Sequence, residues 1–213
     1  MHSEGQSNST SDDLRVCEAR GVMRLGISDH LGWAIAVTAS ENQEVVDRQR
    51  IELIEPGLSA APIHYESARL DVAATAALVR KVRASVVRAT SAAFDQIATA
   101  LPEPIRSISL RAWPLDFPDD IAVQRRAPYE ARADAIMYRQ ELAELAHGRG
   151  WTLHLYDAKT VIGQAEGILA ERAEDVLQAP RAMMGPPWSK DHRIALAATI
   201  VAGWPPERHG SQR

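Results

Sequence analysis

Between Glu66 and Leu101 the chain carries neither glycine nor proline and is rich in alanine, and no other stretch constrains the fold as strongly. Within it Leu78, Val82, Val86, Thr90, Phe94, Ile97 and Leu101 recur at three- and four-residue steps. That spacing predicts a long helix, continuous or kinked once, with one apolar face. Pro102 and Pro104 end it, because proline lacks the amide a helix interior needs.

The residues before this helix read differently. Val22 to Ser28 and Trp33 to Ala39 are short apolar runs separated by Asp29-His-Leu-Gly32. They predict strand, turn, strand. After a second turn at Ser40 to Gln43, the mixed run Glu44 to Leu53 predicts a third, partly exposed strand. Three strands on short turns make an antiparallel meander.

Beyond the long helix, Ile105 to Trp113 and Trp151 to Tyr156 predict two more strands. Between them a helix begins near Pro128, with Glu130 in its first turn, and runs to Gly148. An interrupted helix comes next over Lys159 to Leu177, and a last one from about Lys190 to Ala202. The order β-β-β-α-β-α-β-α predicts a three-layer α/β domain with a mixed five-stranded sheet flanked by helices. Right-handed crossovers place both later strands on the far side of the first strand from the meander.

Composition narrows the setting. Of 213 residues, 46% are hydrophobic and 24% charged, enough for a core without staples. The single cysteine, Cys17, excludes an internal disulfide framework and fits a reducing, cytoplasmic compartment. The longest strongly apolar run, Ile194 to Trp204, is too short to span a bilayer, so no membrane partner is expected. Residues 1–20 read as a disordered polar tail, 21–204 as one domain and 205–213 as a flexible C-terminal tail. The net charge of −4 gives no support to a nucleic-acid partner, although a local basic patch is compatible with it. No Walker loop, dinucleotide fingerprint, nucleophile elbow or Cys-x-x-Cys is present.

The segment Leu25-Gly-Ile-Ser-Asp-His-Leu-Gly-Trp33 resembles the first strand and turn of bacterial Holliday-junction resolvases, which carry a Leu-Gly-Ile-Asp-Pro-Gly type of sequence there. Weaker echoes are Tyr156-Asp-Ala-Lys-Thr-Val161 and the alanine-rich Asp191-His-Arg-Ile-Ala-Leu-Ala-Ala198. With the strand order, this resemblance implies a ribonuclease H-like fold over about residues 22 to 203. It also implies a cluster of carboxylates holding divalent metal, Mn²⁺ or Mg²⁺, for phosphodiester cleavage. Carried over, the first-strand acid is Asp29, one position late because Ser28 stands in the expected place; the last-helix acid is Asp191. The fourth-strand acid has no counterpart. Arg111 stands about where it should be, and a guanidinium there repels the metal.

The residues themselves offer a second line. With 13 aspartates and 7 histidines, chance gives about 0.4 adjacent Asp-His pairs, and the chain has two, Asp29-His30 and Asp191-His192. On the expected fold both lie near one end of the central strand. Asp29, His30, Asp191 and His192 would then make one metal site, of a mixed donor set that suits Mn²⁺, Fe²⁺ or Zn²⁺. The structural alternative stays open: Asp29 and His30 make a turn, Ser189 caps the last helix, and Asp191 favours the positive end of its dipole. Arg111 either pairs with Asp29 or Asp191 or grips a ligand's phosphate or carboxylate.

Asp116, Asp119, Asp120 and Asp157 are further acids near strand ends, which either supply the missing carboxylate, Asp116 being nearest, or are simply solvated. Arg125, Arg126, Arg132 and Arg139 form the one basic cluster, read as a salt-bridged, solvated helix face or, as the alternative, a phosphate-binding strip. Met183 to Trp188 reads as a lid or partner surface, or as a loop closing over core edges. Two functions are compatible with these residues. One is a non-catalytic ribonuclease H-like binding or scaffold module with a degenerate site. The other is a divergent metal-dependent nuclease or phosphoesterase using Asp29 and Asp191 as ligands, His30 or His192 as ligand or general base, and Arg111 as a clamp.

Overall fold

The computed structural model describes residues 21–204; the two expected tails lie outside the described residues. Strands β1 (Met23–Asp29), β2 (Trp33–Ser40) and β3 (Val45–Glu52) form the meander. A π-helical turn (Pro62–Glu66) and a 3₁₀ turn (Ser67–Arg69) lead to α1 (Val72–Ala100). Next come β4 (Ile105–Arg111), α2 (Ile121–Gln124), α3 (Glu130–Gly148) and β5 (Thr152–Tyr156). Helices α4 (Val161–Leu169), α5 (Ala173–Gln178), α6 (Pro180–Met184) and α7 (Lys190–Gly203) complete the order.

The sheet order is β3-β2-β1-β4-β5. β1 is antiparallel to β2 and parallel to β4, and β4 is parallel to β5. Both helix-linked strands therefore lie across β1 from the meander, as right-handed crossovers require. This is the mixed five-stranded sheet that the element order predicted, in the fold that the resemblance implied.

Alternation along the strands sorts the core into two layers. Leu25, Ile27, Ile108 and Leu110 pack with Val82, Val86 and Phe94 of α1 and Ile136 and Leu142 of α3. Ile35, Val37 and Tyr156 pack on the other face with Val161 and Ala165 of α4 and Ile194 to Ala198 of α7. α1 begins six residues later than its glycine-free stretch. Leu70 is extended and Asp71, as N-cap, accepts from the Ala74 amide at 2.7 Å, so the cap, rather than the absence of breakers, sets the start.

Two glycines fix the geometry around the end of β1. Gly26 lets α7 lie directly on β1: a Cβ there would stand 1.9 Å from the Ala195 carbonyl oxygen. Gly32, at φ +83°, closes the β1–β2 turn in a conformation that side chains disfavour. No helix among the described residues is long and apolar enough to cross a membrane.

Candidate functional site

The expected site lies where β1 ends beside the N-terminus of α7. Ser28 and Asp29 are both buried. Successive strand side chains leave on opposite faces. Ser28 therefore faces α7, and its Oγ donates to Asp191 Oδ1 at 2.9 Å. Asp29 faces α3, where Arg139 Nε donates to its Oδ2 at 2.8 Å. Arg111 Nε approaches the other carboxylate oxygen, Oδ1, at 3.8 Å. The Asp29 charge is thus matched by two guanidiniums.

His30, in the turn, reaches across to α7: its Nε2 lies 3.3 Å from Asp191 Oδ1. The ring stacks on Trp33 at 4.0 Å with planes 9° apart, and Arg50 lies over the same indole at 4.1 Å. His30 and Asp191 are therefore brought together, with Ser28 rather than Asp29 as the third member.

His192 is turned elsewhere. Its Nδ1 accepts from the Ser189 amide at 3.2 Å and lies 2.8 Å from Ser189 Oγ. It takes the part that glutamate or glutamine takes in a capping box. Burial, and then the charge of Arg48, hold the His192 imidazole below its ordinary pKa.

The metal set expected from the sequence, Asp29, His30, Asp191 and His192, does not converge. Among the described residues no group of three or more His, Cys, Asp or Glu side chains is placed to hold an ion. The cause is the one-residue displacement of the acid: a shift of one along a strand moves a side chain to the opposite face. The donor set present at the strand end, one carboxylate between two guanidiniums, does not fit a divalent metal.

The other acids have local duties. Asp120 caps α2 through the Ala122 amide at 2.8 Å, and Asp157 accepts from the Lys159 amide at 2.9 Å. Asp116 and Asp119 are exposed. The basic cluster is split. Arg125 donates to the carbonyls of Ser67 and Leu70, whereas Arg139, with a side chain only 11% exposed, is an internal ion-pair partner. Arg139 was readable: it stands three residues from both Ile136 and Leu142, on the buried stripe of α3. Trp188 closes over the core, its indole N–H donating to the Leu177 carbonyl at 2.8 Å. Arg48 fastens the loop before it by donating to the carbonyls of Met184, Gly185 and Pro187.

No family model matches the chain, and no curated protein matches it. Solved structures do. Thermus thermophilus RuvC in complex with a Holliday-junction substrate is 10% identical, with TM-score 0.44, over 84% of this chain and 91% of that one. A second Thermus thermophilus RuvC structure is 11% identical, with TM-score 0.41, over 84% and 92%. The similarity to these resolvases lies in the architecture, a mixed five-stranded α/β sheet flanked by helices.

Proposed function

We propose that the chain is a ribonuclease H-like binding or scaffold module, whose strand-end acids serve in ion pairs rather than as metal ligands. The observation that carries this reading is the Arg139–Asp29 pair at 2.8 Å, buried on the α3 face and joined by Arg111. Breaking such a pair would leave an uncompensated internal charge, so Asp29 is committed to it. Arg111, about one-third exposed at the strand end and held by Asp29 only at 3.8 Å, is the group that would meet a partner's phosphate or carboxylate.

The alternative, a metal-dependent phosphodiester hydrolase, draws on one observation, the His30–Asp191 contact. It needs a third ligand on the α7 face, where Ser28 stands. Calorimetric titration with Mn²⁺, beside cleavage assays on branched and linear DNA, separates the two. The module reading expects no micromolar site and no cleavage. Micromolar binding that is lost in Asp29→Ala and Asp191→Ala, together with cleavage, would overturn it.

A further inference from the structure

The turn between β2 and β3 holds a residue at odds with its conformation. Gln43 has φ +69°, in the left-handed region that glycine enters freely and a glutamine does not. The turn is otherwise regular: the Gln43 amide donates to the Ser40 carbonyl at 3.0 Å, and the Ser40 amide to the Glu44 carbonyl at 2.9 Å. The side chain does not offset the strain, because its Oε1 is buried and meets no donor. A buried amide oxygen without a partner is itself destabilising. Backbone and side chain of Gln43 are thus each unfavourable for folding alone.

Gln43 lines a groove of about 480 Å³ between this turn and helices α5 and α6, a size that suits a small molecule. The walls are apolar, with Val45 and Val46 on β3, Val176 on α5 and Met183 and Met184 on α6. Val46 is 38% exposed and Met183 83%, so this apolar surface stands open to solvent. Arg172 and Asp175 also line the groove, opposite charges three residues apart on one helical turn. Among the described residues neither forms an ion pair, with the other or with any third group. Asp175 lies in the first turn of α5, where the dipole favours an acid; Arg172, the N-cap, gains nothing from that dipole.

We propose that this groove binds a free α-amino acid with an apolar side chain. Its carboxylate pairs with Arg172 and its ammonium with Asp175. Gln43 Oε1 accepts a further ammonium proton once the amide turns outward about its last torsion, which is broad. The apolar side chain lies against Val46, Val176 and Met183, the unbranched methionine adapting to the shape of its occupant. The spacing selects an amino acid over a longer zwitterion. Positions three apart on a helix hold their Cβ atoms about 5–6 Å from each other, so the two counter-charges must be close together, as they are on one Cα. A peptide carries its termini too far apart to meet both. Ser40 pairs with Met23 at the start of β1, so the groove lies at the other end of the sheet from Asp29 and does not rest on the proposed function.

Isothermal calorimetry of the full chain with L-leucine, L-methionine and L-phenylalanine tests this. At least one is expected to bind with a submillimolar Kd. The amide of that amino acid lacks the carboxylate, and its deamino acid lacks the ammonium. Each is expected to bind about tenfold more weakly, the loss of one charged hydrogen bond. Arg172→Gln should weaken the amino acid by about tenfold and leave its amide unchanged. Gln43→Gly should also weaken binding by about tenfold without lowering the thermal midpoint, because glycine relieves the positive φ. That loss cannot then be ascribed to unfolding. No binding of any of the three, equal binding of the amino acid and both analogues, or an affinity unchanged in either variant overturns the proposal.

Discussion

Ser28 and Asp29 are chain neighbours whose side chains belong to opposite faces of the sheet: Ser28 donates to Asp191 of α7, and Asp29 accepts from Arg139 of α3. That division sets the chemistry of the strand end.

Removing either member of the Asp29–Arg139 pair leaves a buried charge with only the 3.8 Å approach of Arg111 or none. Asp29→Ala and Arg139→Ala are each expected to lower stability by about 3 kcal/mol. The double variant should cost clearly less than the sum. Urea denaturation of the four proteins in a double-mutant cycle measures the coupling; additive losses would contradict the pairing.

Ser28→Asp returns an acid to the α7 face, beside Asp191 and within the reach of His30. Without metal, a buried carboxylate at position 28 beside the partly exposed Asp191 should destabilise the protein. Mn²⁺ should restore the loss in a saturable way, since binding only to the native state raises stability. Thermal unfolding with and without Mn²⁺ reads this. The wild type should show no comparable dependence.

His154 and His192 both sit below the ordinary imidazole pKa, chiefly through burial, then through Arg24 for His154 and Arg48 for His192. The unfolded chain therefore takes up these protons near pH 6.5, before the folded chain does. Stability is expected to be complete above about pH 7 and to decline as the pH falls through about 6.5. Denaturation midpoints between about pH 7.5 and 5, for wild type and for His154→Gln with His192→Gln, test the sign. The double variant should have the shallower slope.

Asp134 of α3 accepts the amides of Ile63 at 3.0 Å and His64 at 2.8 Å, holding the π-helical turn although burial pushes its carboxyl above the usual range. Asp134→Ala strands the buried Ile63 amide and frees the partly buried His64 amide, and should cost about 2 kcal/mol. Hydrogen exchange at those two amides should quicken more than in β1.

The strand order was legible because each element carried its own periodicity and its own breaker: Pro102 after α1, Gly148 before β5, the Ser40–Gln43 turn before β3. The site was legible only in part. Arg111 was expected to pair with Asp29 or Asp191 or to grip a ligand, and its Nε lies 3.8 Å from Asp29 Oδ1. The pairing of Asp29 with Arg139 joins residues 110 apart in sequence, and a helix wheel records only that position 139 faces inward, not what it meets. The two Asp-His dipeptides suggested convergence because they are alike as words. A strand and a helix N-terminus aim consecutive side chains by different rules, so identical pairs arrive in unlike places.

The contact of Gly26 with the backbone of Ala195 has a bearing on how such a site could change over time. With no side chain between them, α7 has no slack to slide or roll against β1, and the spacing of positions 28 and 191 is inherited whole. Any change in which groups meet at this strand end therefore comes by exchanging side chains at fixed addresses rather than by moving the elements that carry them.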